Sequence, residues 1–239
     1  MLLPSLPRRA TLAAVGLLGA SSLACRSSAE ERTAPGAASA VASAPASAAA
    51  STLPADSAAR RAAADSGRIL GAPTAKVWML IASDFQCPYC KMWHDETFAA
   101  LRREYVETGK VRMAFVHFPL DNHAQAKPAS EASMCASAQG KFWEYHTALF
   151  EAPDSWSGAG DRSAAFEAAA RRVGLDVPAF QSCVRSGVMR ALVDADKDRM
   201  LRAGVNSTPS FFVGNRAVAG AQPLPVFRAA IDSALATTR

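Results

Sequence analysis

Two cysteines separated by two residues lie where an apolar segment passes into a helical pattern, and this junction constrains the fold more than any other part of the chain. The apolar run at 77–81 is typical of a buried strand, and residues 91–108 carry apolar side chains at helical spacing. Cys87 therefore falls at the start of a helix. Pro88 follows at the first helical position, where its missing N–H group costs nothing.

The position of Cys87 predicts its chemistry. Unpaired N–H groups and the helix dipole stabilise a thiolate at a helix N-terminus, so the first cysteine becomes a nucleophile near neutral pH. Cys90, one turn later, is close enough to complete a disulfide exchange that Cys87 begins. A structural disulfide and half of a zinc site are the alternatives. A zinc site normally has four ligands, and the chain has no second Cys-x-x-Cys.

Length and charge narrow the class of protein. The chain has 239 residues, half of them apolar, which is enough for one domain of ordinary size with additional segments. The formal charge is +5, and removing residues 1–24 takes away two arginines and no acid, which leaves +3. This charge is too small to indicate a nucleic-acid partner, and no basic cluster with interleaved aromatic residues is present in the sequence.

Residues 1–24 have the pattern of an export signal. Arg8 and Arg9 precede a short apolar stretch that is rich in small residues and too short to span a membrane comfortably. The segment resembles a bacterial lipoprotein signal, in which Cys25 would become the acylated first residue, although Ser22 stands where such signals usually have leucine. The alternative is plain secretory cleavage that leaves Cys25 as a free thiol. The arginine pair also weakly resembles a twin-arginine signal.

Residues 25–66 are mostly alanine, serine and proline, and such a segment buries too little apolar surface to offset the entropy of ordering. We interpret it as a flexible linker that holds a folded domain away from a membrane, with membrane contact only through the lipid on Cys25. A short helix at 58–64 is compatible with the composition, but nothing in the sequence suggests that it packs. The folded domain is expected to begin near Gly67 and to run to residue 239.

Within this domain the pattern predicts an α/β fold. A central strand at 76–83, a helix at 90–107 and a strand at 110–118 come first. Residues 122–204 are helical, with five predicted helices. Two short strands at 210–213 and 217–219 and a closing helix at 225–236 complete the domain.

Three segments in this order carry a family resemblance. They are Ser-Asp-Phe-Gln-Cys-Pro-Tyr-Cys at 83–90, Gln-Gly-Lys-Phe-Trp-Glu-Tyr-His at 139–146 and Gly-Val-Asn-Ser-Thr-Pro-Ser-Phe-Phe-Val at 204–213. Over residues 67–239 the chain resembles thiol–disulfide oxidoreductases of the DsbA type. The resemblance implies a thioredoxin-like fold with an inserted α-helical domain at about 122–204.

The same resemblance implies an activity. The chain would be an enzyme of the periplasm or cell envelope that exchanges disulfides with unfolded or partly folded exported proteins, and a membrane redox partner would reset the pair. No metal and no organic cofactor would be needed, because the cysteines carry the electrons. Oxidation is the expected direction by family likeness. A reductase or isomerase that uses the same pair, or a dithiol metal-binding module, remains an alternative.

The resemblance also implies roles for further residues. In this family the peptide bond before the proline matching Pro209 is cis and faces the disulfide, so Thr208 and Pro209 are expected to bind substrate. Pro88 and Tyr89, between the two cysteines, are expected to do the same. Related proteins can carry a second disulfide in the helical insertion, which here would join Cys135 and Cys183. The alternative is two buried free thiols.

One departure from the family concerns the proton of Cys90. Related proteins often have a buried acid six residues before the first cysteine, where this chain has Ile81. Asp84 is nearer to the first cysteine, but the family usually has aspartate there as well.

His94 is predicted to face solvent on its helix, and a metal site that uses it with the two cysteines is the alternative. We interpret the histidines at 117, 123 and 146 as structural.

Overall fold

The computed structural model describes residues 57–158 and 160–238. The predicted export signal at 1–24, the acylation site Cys25 and the linker up to residue 56 lie outside these residues. Within the described ranges, no helix combines the length and the apolar character that crossing a membrane requires.

Five strands form one sheet in the order β1-β3-β2-β4-β5. They are β1 (Ile69–Leu70), β2 (Val77–Ser83), β3 (Val111–His117), β4 (Ser210–Val213) and β5 (Arg216–Ala219). The β2–β3 pair is parallel, and the other neighbouring strands are antiparallel. The central position predicted for the strand before the cysteines is confirmed, because β2 lies between β3 and β4.

The helices cover the sheet and form the insertion. They are α1 (Ser57–Gly67), α2 (Pro88–Trp93), α3 (Ala99–Leu101), α4 (Ala126–Ser137), α5 (Phe142–Glu151), α6 (Ser163–Arg172), α7 (Val177–Ser186), α8 (Arg190–Arg202) and α9 (Leu224–Thr237). Helices α4 to α8 lie between β3 and β4, as the predicted insertion requires. The single helix predicted at 90–107 is interrupted by two π-helical turns, His94–Phe98 and Arg102–Val106.

Helix α1 corrects the prediction that the segment before Gly67 does not pack. Ala64 is fully buried, and its carbonyl oxygen accepts a 2.6 Å hydrogen bond from the Ser137 hydroxyl of α4. The described fold therefore already includes residue 57 and does not begin near Gly67. A helix rich in alanine lacks the large apolar side chains that signal burial in a sequence, but its small side chains allow another helix to approach closely.

A buried ion pair connects the start of the sheet to the helical insertion. The Arg68 guanidinium pairs with the Asp196 carboxylate of α8 and donates a 3.1 Å hydrogen bond to the carbonyl oxygen of Phe115. The same carboxylate accepts the backbone N–H of His117 at 3.0 Å. The contacts of Arg68 and Asp196 therefore join the residue before β1, strand β3 and helix α8 at one point.

Candidate active site

The two cysteines lie at the junction that the sequence predicts. Strand β2 ends at Ser83, and Cys87 is the N-cap residue of α2, with Pro88 in the first turn. The Cys87 N–H donates to the carbonyl oxygen of Asp84 at 3.2 Å, which closes the loop between strand and helix. Both cysteines are free thiols and both are buried, Cys90 more deeply than Cys87.

The surroundings of the two thiols differ, and this gives them different acidities. A hydrogen bond from Cys90, aided by backbone N–H groups at the start of α2, lowers the pKa of Cys87 to about 6 despite its partial burial. Burial, and then the neighbouring Cys87 sulfur, raises the pKa of Cys90 well above its ordinary value. Near neutral pH, Cys87 is therefore the thiolate and Cys90 the protonated thiol, which is the order of attack and resolution that the sequence predicts.

The loop before β4 lies against the first cysteine. The peptide bond between Thr208 and Pro209 is cis, as the family resemblance implies. The Cys87 sulfur lies 3.5 Å from the carbonyl oxygen of Thr208. Tyr89 is 62% exposed, and Pro88 beside it is exposed as well. The structure thus places Thr208 and Pro209 beside Cys87, and it presents Pro88 and Tyr89 to solvent next to it. Binding of substrate by these four residues stays a prediction.

Cys135 of α4 and Cys183 of α7 form a disulfide with a Cα–Cα distance of 5.8 Å. This is the pairing that the family resemblance implies, and the alternative of two free thiols does not hold. The disulfide lies within the helical insertion and leaves Cys87 and Cys90 as the free pair.

Asp84 occupies a polar site that the sequence did not reveal. Ile81 is buried in β2, so no acid lies at that position. The Asp84 carboxylate is fully buried and accepts the backbone N–H groups of Gln86 at 2.7 Å and Leu120 at 2.9 Å. It also accepts Nδ1–H of His123 at 2.8 Å. His123 is 39 positions away, so no short-range spacing signals this contact.

Gln86 is a second residue whose role the sequence did not reveal. Its side-chain oxygen accepts the backbone N–H of Gln125 at 2.8 Å, and its side-chain nitrogen donates to the carbonyl oxygen of Ser157 at 2.8 Å. The residue before Cys87 is therefore fixed to two loops of the helical insertion, and these contacts hold the insertion against the active-site loop.

The prediction that His94 faces solvent is wrong. His94 is buried, and its ring stacks on Phe98 and Phe150, with ring centroids 5.4 and 5.0 Å apart. It lies one helical turn after Cys90, at the end of α2. Both side chains are therefore on the side of the helix that packs into the core. His117 and His146 are also fully buried among aromatic rings, as expected for structural residues.

No three histidine, cysteine, aspartate or glutamate side chains among residues 57–158 and 160–238 are grouped so that they could hold a metal ion.

Comparison with known proteins identifies the family. The family model described as "Thioredoxin" matches residues 63–233. "Na(+)/H(+) antiporter NhaA 3" of Salinispora tropica is 33% identical over 73% of this chain, but the match covers only 26% of that protein. The chain thus spans about a quarter of the length of this antiporter relative. "Probable disulfide bond formation protein D" of Bacillus anthracis is 26% identical over 62% of this chain and 70% of its own length.

Solved structures match the fold. The crystal structure of alpha-DsbA1 of Wolbachia pipientis aligns with a TM-score of 0.64 and 26% identity, over 71% of this chain and 91% of that chain. BdbD of Bacillus subtilis aligns with a TM-score of 0.64 and 19% identity, over 71% of this chain and 94% of its own. The geometry of the cysteine pair and these matches lead to one conclusion: the chain belongs to the thioredoxin family and, within it, to the DsbA-type thiol–disulfide oxidoreductases.

Proposed function

We propose that this protein is an exported enzyme that donates disulfides to unfolded or partly folded exported proteins. The observation that carries the proposal is the asymmetry of the pair, with a stabilised thiolate at Cys87 and a buried thiol at Cys90. Stabilisation of the thiolate favours the reduced form of the pair, and this makes the disulfide form a stronger oxidant. The name of the relative "Probable disulfide bond formation protein D" supports the same direction.

The proposed reaction is an exchange in two steps. A substrate thiolate attacks the Cys87 sulfur of the Cys87–Cys90 disulfide, a bond forms between substrate and Cys87, and Cys90 leaves with the electron pair. A second substrate thiolate then attacks the substrate sulfur of this mixed disulfide and releases reduced Cys87. Thr208 and Pro209 beside Cys87, together with the exposed Pro88 and Tyr89, are proposed to bind the extended substrate.

A membrane redox partner is proposed to return the pair to its disulfide form, without a metal or an organic cofactor. Export through the signal at 1–24 and anchoring through acylated Cys25 are part of the proposal and rest on the sequence pattern. Labelling of cells with a fatty-acid analogue tests the anchor. The label should appear in the full chain and be lost in Cys25→Ala, whereas equal labelling of both would contradict acylation at this cysteine.

Oxidative refolding of a reduced, unfolded disulfide protein tests the proposed activity. The oxidised enzyme should form disulfides in the substrate, and Cys87→Ser should not. Cys90→Ala cannot form the Cys87–Cys90 disulfide, so it has no disulfide to donate and should not refold the substrate either. Equal refolding with the wild-type enzyme and with Cys87→Ser would contradict the proposal.

A further inference from the structure

The residue before the nucleophilic cysteine has its side chain tied to the helical insertion. Gln86 is half-buried, and both polar atoms of its amide are used. The side-chain oxygen accepts the backbone N–H of Gln125, and the side-chain nitrogen donates to the carbonyl oxygen of Ser157, each at 2.8 Å. These backbone groups lie in two different loops, one before α4 and one between α5 and α6. A single side chain therefore connects the active-site loop to two separate parts of the insertion.

The backbone of the active-site loop is fixed by other contacts. The Asp84 carboxylate accepts the Gln86 N–H at 2.7 Å, and the Asp84 carbonyl oxygen accepts the Cys87 N–H at 3.2 Å. The Phe85 ring is buried and stacks on Phe115 of β3, with ring centroids 5.2 Å apart. A change in the Gln86 side chain leaves all of these contacts in place, so the loop should keep its fold. Such a change removes the amide connection between the insertion and the residue that precedes Cys87.

The acidity of Cys87 depends on its position at the start of α2. Cys87 is the N-cap residue, with φ −75° and ψ 122°. In this position the Cys90 thiol, followed by smaller causes that include the backbone N–H groups of Cys90 and Tyr89, lowers the pKa of Cys87. The effect of a helix N-terminus on a charge falls off within the first turn. A small rotation of the Cys87 backbone would therefore weaken the contacts that stabilise its thiolate.

We propose that Gln86 is a positioning residue that couples the docked helical insertion to the orientation of the Cys87 thiolate. The inference rests on the proposed function, which requires a thiolate at Cys87, and it adds the residue through which the insertion acts on that thiolate. Gln86 acts through the peptide bond that joins it to Cys87. While both amide hydrogen bonds are made, the insertion holds the Cys87 sulfur at the start of α2. When the amide is lost, the thiolate loses part of its stabilisation.

The titratable and charged groups around this site are the same with and without the amide. The neighbouring thiol is that of Cys90, and the Asp84 carboxylate, which accepts from the loop backbone, has His123 as its partner. On α2, Lys91 is paired with Asp95. Because an amide carries no charge, a shift in the titration of the nucleophilic thiol after its removal reports on the position of that thiol.

Gln86→Met tests the coupling, because methionine is unbranched and flexible but has no amide. Reduced full-length protein is alkylated with iodoacetamide between about pH 5 and pH 9, and mass spectrometry locates the label on Cys87. We expect the acid dissociation constant of Cys87 to fall at least about threefold, because part of the stabilisation by the helix N-terminus is lost. Alkylation near pH 6 should slow down, whereas alkylation near pH 9, where both proteins carry the thiolate, should not. Hydrogen exchange at the Gln125 amide should become faster in the variant.

Gln139→Met is the matched control, because the Gln139 side chain also makes two hydrogen bonds to backbone groups, both of Asp176. These bonds lie within the insertion, between the end of α4 and the start of α7, so the titration of Cys87 should be unchanged. Gln86→Asn, whose amide is one carbon shorter, should give a shift like that of Gln86→Met, so the test does not depend on one variant.

An unchanged acid dissociation constant of Cys87 in both Gln86 variants would mean that Gln86 has only a structural role, and it would overturn the inference alone. Slower alkylation at every pH, or an equal shift in Gln139→Met, would overturn it as well, because access or a general loosening would then be the cause. A wild-type Cys87 that titrates near about pH 8.5, like an ordinary cysteine, would overturn the proposed function too.

Discussion

Gly67 lies so close to Ser137 that a methyl group on its Cα would come within 2.5 Å of the Ser137 hydroxyl oxygen and 2.7 Å of its carbonyl oxygen. Helix α1 ends at Gly67, and α4 ends at Ser137. The absence of a side chain at position 67 is therefore what allows the two helices to approach each other.

This contact predicts the effect of Gly67→Ala. Replacement of glycine by alanine in a helix normally adds up to about 1 kcal/mol of stability. Here the clash with α4 should instead lower the free energy of unfolding by about 1–3 kcal/mol in urea denaturation. Ser66→Ala, at the exposed neighbouring position, should change it by no more than about 0.5 kcal/mol. A stabilised Gly67→Ala variant would show that α1 does not pack on α4.

The disulfide between Cys135 and Cys183 should stabilise the insertion through the 48 residues that separate the two cysteines. Loop-closure entropy predicts that Cys135→Ala with Cys183→Ala lowers the free energy of unfolding by about 3–4 kcal/mol. In a reducing buffer that opens the disulfide, the wild-type protein and the double variant should become equally stable. A difference that persists in this buffer would mean that the two alanines disturb the core in another way.

The buried histidines predict how stability depends on pH. Burial, and then the charge of Arg68, lowers the pKa of His117 well below its ordinary value. Burial lowers that of His146 in the same way, with His94 and His117 as smaller causes. Below about pH 6.5 the unfolded chain binds protons that the folded protein does not. Each of these histidines should therefore lower the free energy of unfolding by about 1.4 kcal/mol for each unit by which the pH falls.

Because these histidines are buried in the uncharged form, the free energy of unfolding is at its full value above about pH 6.5 and decreases as the pH falls. Denaturation curves between pH 6.5 and pH 5 should therefore show a slope that His146→Leu reduces by about 1.4 kcal/mol per pH unit. The comparison uses slopes, so a constant change in packing does not affect it. An unchanged slope would indicate that His146 is protonated in the folded protein.

The acidity of Cys87 should be visible directly. Thiolate absorbance and alkylation by iodoacetamide should both follow a pKa of about 6. Cys90→Ala should raise that pKa, because the hydrogen bond from Cys90 is its largest cause. Cys87→Ser serves as the blank, since it removes the thiolate itself. A transition near pH 8.5, the value of an ordinary cysteine, would contradict the stabilised thiolate.

The fold and the cysteine pair can be predicted from the sequence because both depend on local signals. Apolar runs, helix ends and the Cys-x-x-Cys motif mark β2, the start of α2 and the helical insertion within a few residues of their observed bounds. The pairing of Cys135 with Cys183 and the residues beside Cys87 came from the family resemblance, which carries information about contacts distant in the sequence.

The features that the sequence did not reveal depend on contacts between distant residues. Helix α1 packs through small alanine and glycine positions, which carry no apolar signal. Asp84 meets His123 across 39 positions, and Arg68 meets Asp196 across 128 positions. His94 packs against Phe150 of α5, which lies far from it in the sequence. Tertiary packing determines each of these contacts, and helical spacing alone does not predict them.

The reduction potential of the Cys87–Cys90 pair tests the central claim most directly. The protein would be equilibrated in glutathione buffers, and its thiols would be trapped and counted by mass. A disulfide donor should titrate as a two-electron couple near ~−120 mV, and Cys87→Ser should abolish the titration. A potential near ~−270 mV would indicate a reductase instead. A pair that does not cycle with glutathione at all would contradict the redox function.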